Sequence, residues 1–252
     1  MALGEETFDQ IRKSTFRVET HWSGGGGCSA TAFTVATFRD SKRLVLATAA
    51  HVLDCPENDT VNWKIQQFDE YGDVARQMSF ATDKGLLGGV PYHTHKELDI
   101  GVFVLPPTNE KKEAFARPDE EGLRVVDILS GATAGTRVAW AGFAGSVEEF
   151  LKAPHLCYFE GAVSVMVHGK RWRYIVDGHL SPGVSGGPVW LWSEEKSRFE
   201  VFGIAVGYGN ARGSLLPGFC VVEPINPIMS YLETDIWHPD KCGDHLITNR
   251  RG

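Results

Sequence analysis

The stretch Gly183-Val184-Ser185-Gly186-Gly187-Pro188 places a serine among glycines, and the apolar run Val189-Trp190-Leu191-Trp192 follows it directly. The same Gly-x-Ser-x-Gly spacing occurs in the nucleophile elbow of α/β-hydrolases, where a helix follows the serine and the acid and histidine lie downstream. Here a run of β-forming residues follows. The downstream acids and histidines crowd a polar tail: Asp235, His238, Asp240 and His245. The stretch therefore favours a serine on a loop that enters a β-strand, with the α/β-hydrolase elbow as the weaker alternative.

Strand-length apolar and β-branched runs recur along the chain, separated by Gly, Pro, Asn and Asp. Helical periodicity is scarce, and its main candidate is Pro224 to Leu232. Many short strands with turn residues between them are typical of an all-β sandwich or barrel. The predicted strands are Thr15–Trp22, Ala30–Phe38, Leu44–Ala47, Val61–Gln66, Ile100–Leu105, Arg137–Phe143, Ala162–Val167, Trp172–Val176 and Phe199–Val206.

Two further motifs precede the serine: Thr48-Ala49-Ala50-His51 and Glu97-Leu98-Asp99-Ile100-Gly101. Taken alone, His51 could be a buried structural histidine and Asp99 a turn or cap residue. With Ser185 they give the order His, Asp, Ser, which differs from the order in subtilisins and α/β-hydrolases. From about Phe16 to Tyr231 the chain resembles the trypsin-like, chymotrypsin-fold serine peptidases of bacterial type, such as the HtrA and glutamyl-endopeptidase branches.

The resemblance implies an all-β fold of two six-stranded antiparallel β-barrels with a short C-terminal helix. A charged, Pro-flanked segment suits a connection between the barrels, with a helical turn at Lys111–Ala116. The expected divisions are an N-terminal extension (1–15), a first barrel (16–105), a linker (106–122), a second barrel (123–223) and a C-terminal helix and tail (224–252). His51 and Asp99 then belong to the first barrel and Ser185 to the second.

The resemblance also implies a serine endopeptidase that hydrolyses peptide bonds through an acyl-enzyme. Ser185 would be the nucleophile and His51 the general base, and Asp99 would orient the imidazole. The backbone N–H groups of Gly183 and Ser185 would form the oxyanion hole. The expected partner is a protein or peptide substrate, and no cofactor or metal is expected.

Substrate binding is implied at two places. His179 lies six residues before the serine, where vertebrate-like relatives have the base of the specificity pocket. A loop histidine is the alternative reading of that residue. Ile204-Ala205-Val206-Gly207 resembles the strand that pairs with an extended substrate, so Ala205, Val206 and Gly207 are expected to line the site.

Two departures from secreted relatives concern activation. Val184 stands where those relatives have an Asp that pairs with a newly cut N-terminus, and Ser181 stands where many have a disulfide cysteine. No Ile-Val-Gly-Gly-like activation sequence is present either. We therefore expect control by a regulatory protein partner, an oligomer or a disordered loop rather than by cleavage of a pro-segment, with the loop at Ser181-Pro182-Gly183 as the element that becomes ordered. The alternative is a latent or degenerate protease domain that serves as a protein-binding module.

Composition and short motifs also limit the binding partners, the location, the disulfides and the metal sites that can be expected. The net charge of −7 argues against nucleic acid or anionic membranes as partners. Charged residues within Met1–Phe16 interrupt any signal-peptide core, so a cytoplasmic location is expected. Five cysteines are an odd set that suits reduced thiols, with a Cys28–Cys55 bridge as the alternative. His93-Thr94-His95 and Cys242-Gly243-Asp244-His245 lack the spacing of a tetrahedral metal set, so polar loops are preferred.

Overall fold

A computed structural model describes residues 5–38, 43–54, 60–82, 92–95, 97–105, 128, 131–167, 172–193, 198–211, 214–234 and 246–248. Strands dominate these residues, and four helices accompany them. The helices are α1 (Glu5–Ser14), α2 (Ala50–Leu53), α3 (Gly145–Leu151) and α4 (Asn226–Thr234). The strands are β1 (Thr15–Trp22), β2 (Gly27–Phe38), β3 (Leu44–Thr48), β4 (Val61–Phe68), β5 (Val74–Thr82), β6 (Tyr92–Thr94), β7 (Gly101–Val104), β8 (Arg137–Phe143), β9 (Leu156–Val167), β10 (Arg173–Asp177), β11 (Pro188–Ser193), β12 (Arg198–Ala211), β13 (Ser214–Pro224) and β14 (Leu246–Thr248).

The first sheet contains β1 to β7 and β14. Its strands pair in the order β5-β4-β1-β2-β3-β7-β6, and β14 pairs with β2. Alternation of side chains explains the outer strand β5: Met78, Phe80 and Thr82 are buried, whereas the residues between them face outward. Strand β2 is buried from Ala30 to Phe38 because it lies in the middle of the sheet.

The second barrel is closed and has six strands in the order β10-β13-β12-β11-β8-β9. All its pairings are antiparallel. Its core is built on large side chains that are completely buried: Trp140, Tyr174, Trp190 and Phe202. A closed six-stranded barrel, a second sheet and a short C-terminal helix confirm the predicted fold class.

Two details differ from the expectation for six strands in each unit. The first sheet has eight strands among the described residues, because β6 and β14 add two pieces of three residues each. Such short strands leave no periodicity in a sequence. The final helix runs from Asn226 to Thr234 and so begins two residues after the predicted start at Pro224.

The two units contact each other through buried polar groups and through α1. Arg17 on β1 is buried and forms an ion pair with Glu148 on α3, at 2.7 Å. Tyr158 on β9 donates a hydrogen bond to the carbonyl of Phe8 on α1, at 3.2 Å. The predicted linker at 106–122 and the helical turn at Lys111–Ala116 lie outside the described residues. The predicted domain limits therefore stay predictions.

Candidate active site

His51 and Asp99 are brought together by the pairing of β3 with β7. Thr48, the last residue of β3, lies opposite Gly101, the first residue of β7. The chain leaves β3 into the short helix α2, which carries His51, and it enters β7 directly after Asp99-Ile100. Sheet register thus places the histidine of one motif beside the aspartate of another, although they lie 48 positions apart.

Both oxygens of the Asp99 carboxylate hold His51. The backbone N–H of His51 donates to Oδ1 at 2.9 Å, and the ring Nδ1 lies 2.7 Å from Oδ2. A carboxylate only accepts hydrogen bonds, so Nδ1 is the protonated ring nitrogen. The neutral ring then carries its free lone pair on Nε2, as a general base requires.

The contact changes the pKa of both groups. The hydrogen bond to Asp99 raises the pKa of His51 above its ordinary value, and this effect exceeds the opposing effect of partial burial. Burial by itself raises the pKa of Asp99, but the hydrogen bonds from the ring and backbone of His51 outweigh it and lower that pKa overall. The pair therefore favours an ionised Asp99 that stabilises the protonated imidazole.

Ser185 lies in the second of two consecutive tight turns, 181–184 and 184–187, which together are called the serine turn. Val184 N–H donates to the carbonyl of Ser181 at 3.1 Å, and Gly187 N–H donates to the carbonyl of Val184 at 2.9 Å. The third residue of each turn has positive φ, +91° at Gly183 and +89° at Gly186, which is the type II pattern that favours glycine. A Cβ would overlap the Phe143 carbonyl at Gly183 and the Thr31 carbonyl at Gly186. Both glycines of the motif are thus required by backbone angle and by space.

The same turns orient two N–H groups. The N–H and C=O of a planar trans peptide point in opposite directions. The Pro182 carbonyl accepts from Gly145 N–H at 2.8 Å, and the Val184 carbonyl is taken by Gly187. The N–H groups of Gly183 and Ser185 therefore point the other way, and within the described part of the chain neither is recorded as donating to another group. This arrangement can bind an anionic oxygen.

A cavity of about 360 Å³ is lined both by the segment that carries His51 and by the turns around Ser185. His51, Gly183 and Ser185 line it together with Val206 and Gly207, and Asp99 lies behind His51. Among the described residues the Ser185 hydroxyl forms no hydrogen bond, either with His51 or with another group. His51 and Ser185 are instead neighbours in the lining of this cavity. The full lining is Cys28, Ser29, Ala30, His51, Val52, Pro182, Gly183, Ser185, Val206 and Gly207.

Two other predicted substrate residues lie outside this lining. Ala205 is completely buried, its N–H donates to Gly187 at 2.9 Å, and its carbonyl accepts from Gly186 at 2.6 Å. Its backbone therefore supports the serine turn. His179 is exposed, and its ring lies 6.5 Å from that of Phe159. A role for His179 in specificity stays a prediction.

The remaining candidate residues have other surroundings. The His93 ring stacks on Tyr231 with centroids 3.4 Å apart, and His95 Nδ1 accepts the N–H of Glu97 at 3.1 Å. Cys28 is a free thiol 3.2 Å from the Thr20 hydroxyl, while Cys55 and residues 242–245 lie outside the described part of the chain. Within the described ranges, no helix is long and apolar enough to cross a membrane.

Sequence reasoning missed Thr31, which is completely buried on β2. Its hydroxyl donates to the Gly183 carbonyl at 2.8 Å, and its N–H donates to the Ser185 carbonyl at 2.8 Å. Gly183 and Ser185 lie more than 150 positions away from it in the chain. No local pattern in the sequence signals such a contact.

No protein-family model matches the chain, and no curated protein matches it in sequence. Two solved structures of Rv3671c from M. tuberculosis resemble it. The active form, described as a protease, is 14% identical with a TM-score of 0.57, over 90% of this chain and 82% of that one. A serine-to-alanine mutant described as the inactive form is 13% identical with a TM-score of 0.53, over 90% of both chains. The chain therefore has a chymotrypsin-like fold.

Proposed function

We propose that this protein is a serine endopeptidase with Ser185 as nucleophile, His51 as general base and Asp99 as orienting acid. The observation that carries the proposal is the double hydrogen bond from His51 to Asp99, at 2.9 and 2.7 Å, behind a cavity that also contains Ser185. A serine hydroxyl is a weak nucleophile at neutral pH and needs such a base. A merely structural histidine would not need to line a cavity together with a serine.

The proposed reaction has two halves. Ser185 Oγ attacks the peptide carbonyl carbon while its proton passes to His51 Nε2. The resulting oxyanion accepts hydrogen bonds from the N–H groups of Gly183 and Ser185. The intermediate collapses as His51 gives the proton to the leaving amine, which leaves an acyl-enzyme. Water then attacks the ester, its proton passes to His51 and on to Ser185 Oγ, and the carboxylic acid product departs.

We propose that the substrate binds as an extended strand beside Val206 and Gly207. The register of β12 against β13 shifts between Ala205 and Gly207, so Val206 lies at an irregularity of the ladder. Val206 and Gly207 line the cavity, and a Cβ built on Gly207 would meet nothing within 4 Å. An extended peptide can use such a strand for backbone hydrogen bonds. Val206→Pro removes one donor and should raise KM for peptides.

A fluorophosphonate probe tests the assignment of the nucleophile. Intact mass should show one adduct on the wild type and none on Ser185→Ala. Ser29→Ala is a matched control, because Ser29 lines the same cavity, and it should be labelled like the wild type. Peptidase turnover of Ser185→Ala or His51→Ala should fall about 10⁶-fold, since the residues act as one unit. Turnover within tenfold of wild type in either variant would contradict the proposal, and an unlabelled wild type would favour the protein-binding module.

We propose that a regulatory partner acts on the serine turn through α3. Gly145 at the start of this helix donates to Pro182 at 2.8 Å, and the hydroxyls of Ser146 and Ser181 lie 3.0 Å apart. At its other end Phe150 is 83% exposed, which is a large apolar side chain without cover. Native cell lysate should accelerate probe labelling of the wild type, and Phe150→Ser should reduce that acceleration. Identical rates with and without lysate would reject a regulatory partner.

A further inference from the structure

Thr31 forms four hydrogen bonds, of which three link the first sheet to the second barrel and one joins two strands of the first sheet. Its hydroxyl donates to the Gly183 carbonyl at 2.8 Å and accepts from Phe143 N–H at 3.1 Å. Its N–H donates to the Ser185 carbonyl at 2.8 Å, and its carbonyl accepts from the Thr48 hydroxyl at 2.8 Å. One hydroxyl has one proton and two lone pairs, so both of its hydrogen bonds are satisfied together.

With these contacts, each of the four consecutive backbone carbonyls from Pro182 to Ser185 accepts a hydrogen bond. The Pro182 and Val184 carbonyls are held from within the second barrel, by Gly145 and Gly187. The Gly183 and Ser185 carbonyls are both held by Thr31, from the first sheet. Since each peptide is planar, fixing its carbonyl also fixes the N–H that follows. Loss of the Thr31 hydroxyl removes one of the two hydrogen bonds of the peptide between those that carry the proposed oxyanion donors, and leaves it held only by Val184 N–H on Ser181 at 3.1 Å.

Thr31 also lies against the segment that carries the base. Thr48 is the last residue of β3, two positions before α2 begins at Ala50. A Cβ on Gly186 would overlap both the Thr31 carbonyl and the Thr48 hydroxyl, so the serine turn is packed tightly against these two threonines. The segment that carries His51 and the turn that carries Ser185 thus meet at one buried residue, through its backbone carbonyl on one side and its hydroxyl and N–H on the other.

We infer that Thr31 is a positioning residue, whose hydroxyl holds the Gly183–Ser185 turn so that its N–H groups face the oxyanion. This inference rests on the proposed endopeptidase function. Thr31 contacts no substrate in this scheme, because it is completely buried and does not line the cavity. Its effect should therefore appear in the rate of the chemical step rather than in binding.

Fluorophosphonate labelling of Thr31→Val and Thr31→Ser tests the inference, since the phosphonyl oxygen occupies the position of the oxyanion. Valine keeps the shape and removes the hydroxyl, whereas serine keeps the hydroxyl. Thr31→Val should lower the maximal labelling rate about 10²-fold, the smaller end of what loss of an oxyanion donor costs. Its half-saturating probe concentration and final adduct stoichiometry should be those of the wild type. Thr31→Ser should restore most of the rate.

Thr34→Val is the matched control. Thr34 is buried on the same strand, and its hydroxyl has no hydrogen-bond partner in the described structure, so this variant should label like the wild type. The labelling rate should fall at low pH with the same midpoint in Thr31→Val as in the wild type, because the substitution leaves the His51–Asp99 pair unchanged.

Three results would overturn the inference. The first is a labelling rate of Thr31→Val equal to that of the wild type. The second is a lower final adduct stoichiometry of Thr31→Val at an unchanged labelling rate, and the third is a labelling rate of Thr31→Ser as low as that of Thr31→Val. Each leaves the proposed function standing as long as the wild type is labelled at Ser185. An unlabelled wild type overturns both together. If Thr31→Val does not fold, Thr31→Ser against Thr31→Ala gives the same comparison of hydroxyl present and absent.

Discussion

His51 and Asp99 influence each other at the residue scale through two hydrogen bonds, and this sets two pH dependences. The pKa of His51 is raised and that of Asp99 is lowered. A raised histidine pKa stabilises the fold below the unfolded value near 6.5, and this contribution is lost as the pH rises through the folded value. A lowered aspartate pKa stabilises the fold above about 3.9, and this is lost as the pH falls. The pair therefore stabilises the fold most between about pH 4 and 6.5.

The first prediction concerns Asp99→Asn. A general base must be neutral, so activity rises with pH through the His51 pKa, and the wild-type midpoint should lie above the ordinary value of about 6.5. Without the carboxylate the midpoint should move down, and turnover should fall about 10⁴-fold because the ring tautomer is no longer enforced. The pH profile of kcat/KM checks both effects. A midpoint that stays in place in Asp99→Asn would exclude this carboxylate as the cause.

A second prediction separates backbone strain from crowding at the serine turn. Gly186 has φ +89°, and a Cβ there would overlap the Thr31 carbonyl, whereas Gly135 has φ +85° with nothing within 4 Å. Gly135→Ala should lower the free energy of unfolding by about 1–2 kcal/mol, the cost of a left-handed residue. Gly186→Ala adds the overlap and should lower it by more than about 3 kcal/mol. Equal losses in urea unfolding would show that the turn relaxes freely.

Elements of the fold differ in how well the sequence predicts them. Strands β1 and β8 match the predicted ranges Thr15–Trp22 and Arg137–Phe143 at both ends, since apolar and β-branched residues mark them clearly. Helix α3 was missed because its 7 residues make only two turns, which is too short for helical periodicity to stand out in a sequence. Its position depends on contacts with Pro182 and Arg17, which lie far away in the chain.

The third prediction tests how α3 is attached. Arg17 is buried and pairs with Glu148 at 2.7 Å and with Glu19 at 2.6 Å, so Arg17→Met leaves two carboxylates without this partner. Glu148 is about one third exposed, which reduces the cost to about 2–4 kcal/mol of unfolding free energy. Lys64→Met is the control, because Lys64 also pairs with Glu19, at 3.1 Å, but is more exposed. It should cost less than about 1 kcal/mol. Similar losses in thermal unfolding would contradict the distinction.

At the scale of the whole molecule, local motifs predict the residues of the proposed catalytic site, and only the packing shows what holds them. His51, Asp99 and Ser185 each belong to a short motif with its own turn chemistry, and this made them recognisable. Thr31, Gly145 and Ala205 hold the serine turn through hydrogen bonds from other elements. Such contacts depend on how the strands pair, which a single sequence does not specify.

The fourth prediction concerns β14, the last described segment. Leu246, Ile247 and Thr248 pair with Phe38, Thr37 and Ala36 of β2, so a late segment of the chain completes an early strand. A chain shortened after residue 245 should lose about 1–2 kcal/mol of unfolding free energy with these hydrogen bonds. A chain shortened after residue 248 keeps β14 and is the matched control. Equal stability of the two shortened chains in urea would contradict a role for the pairing.

The pairing of β14 with β2 also has a consequence for biosynthesis. A ribosome adds roughly 5–20 residues per second, and domains generally fold as units, the N-terminal one first. Residues 36 and 37 pair with β3 on one side, but the partner of residues 36–38 on the other side is made only after the entire second barrel. During translation the backbone groups on that edge of β2 therefore lack this partner and can pair with other strands until residues 246–248 have left the exit tunnel. A nascent chain stalled before this point should be the form most dependent on chaperones.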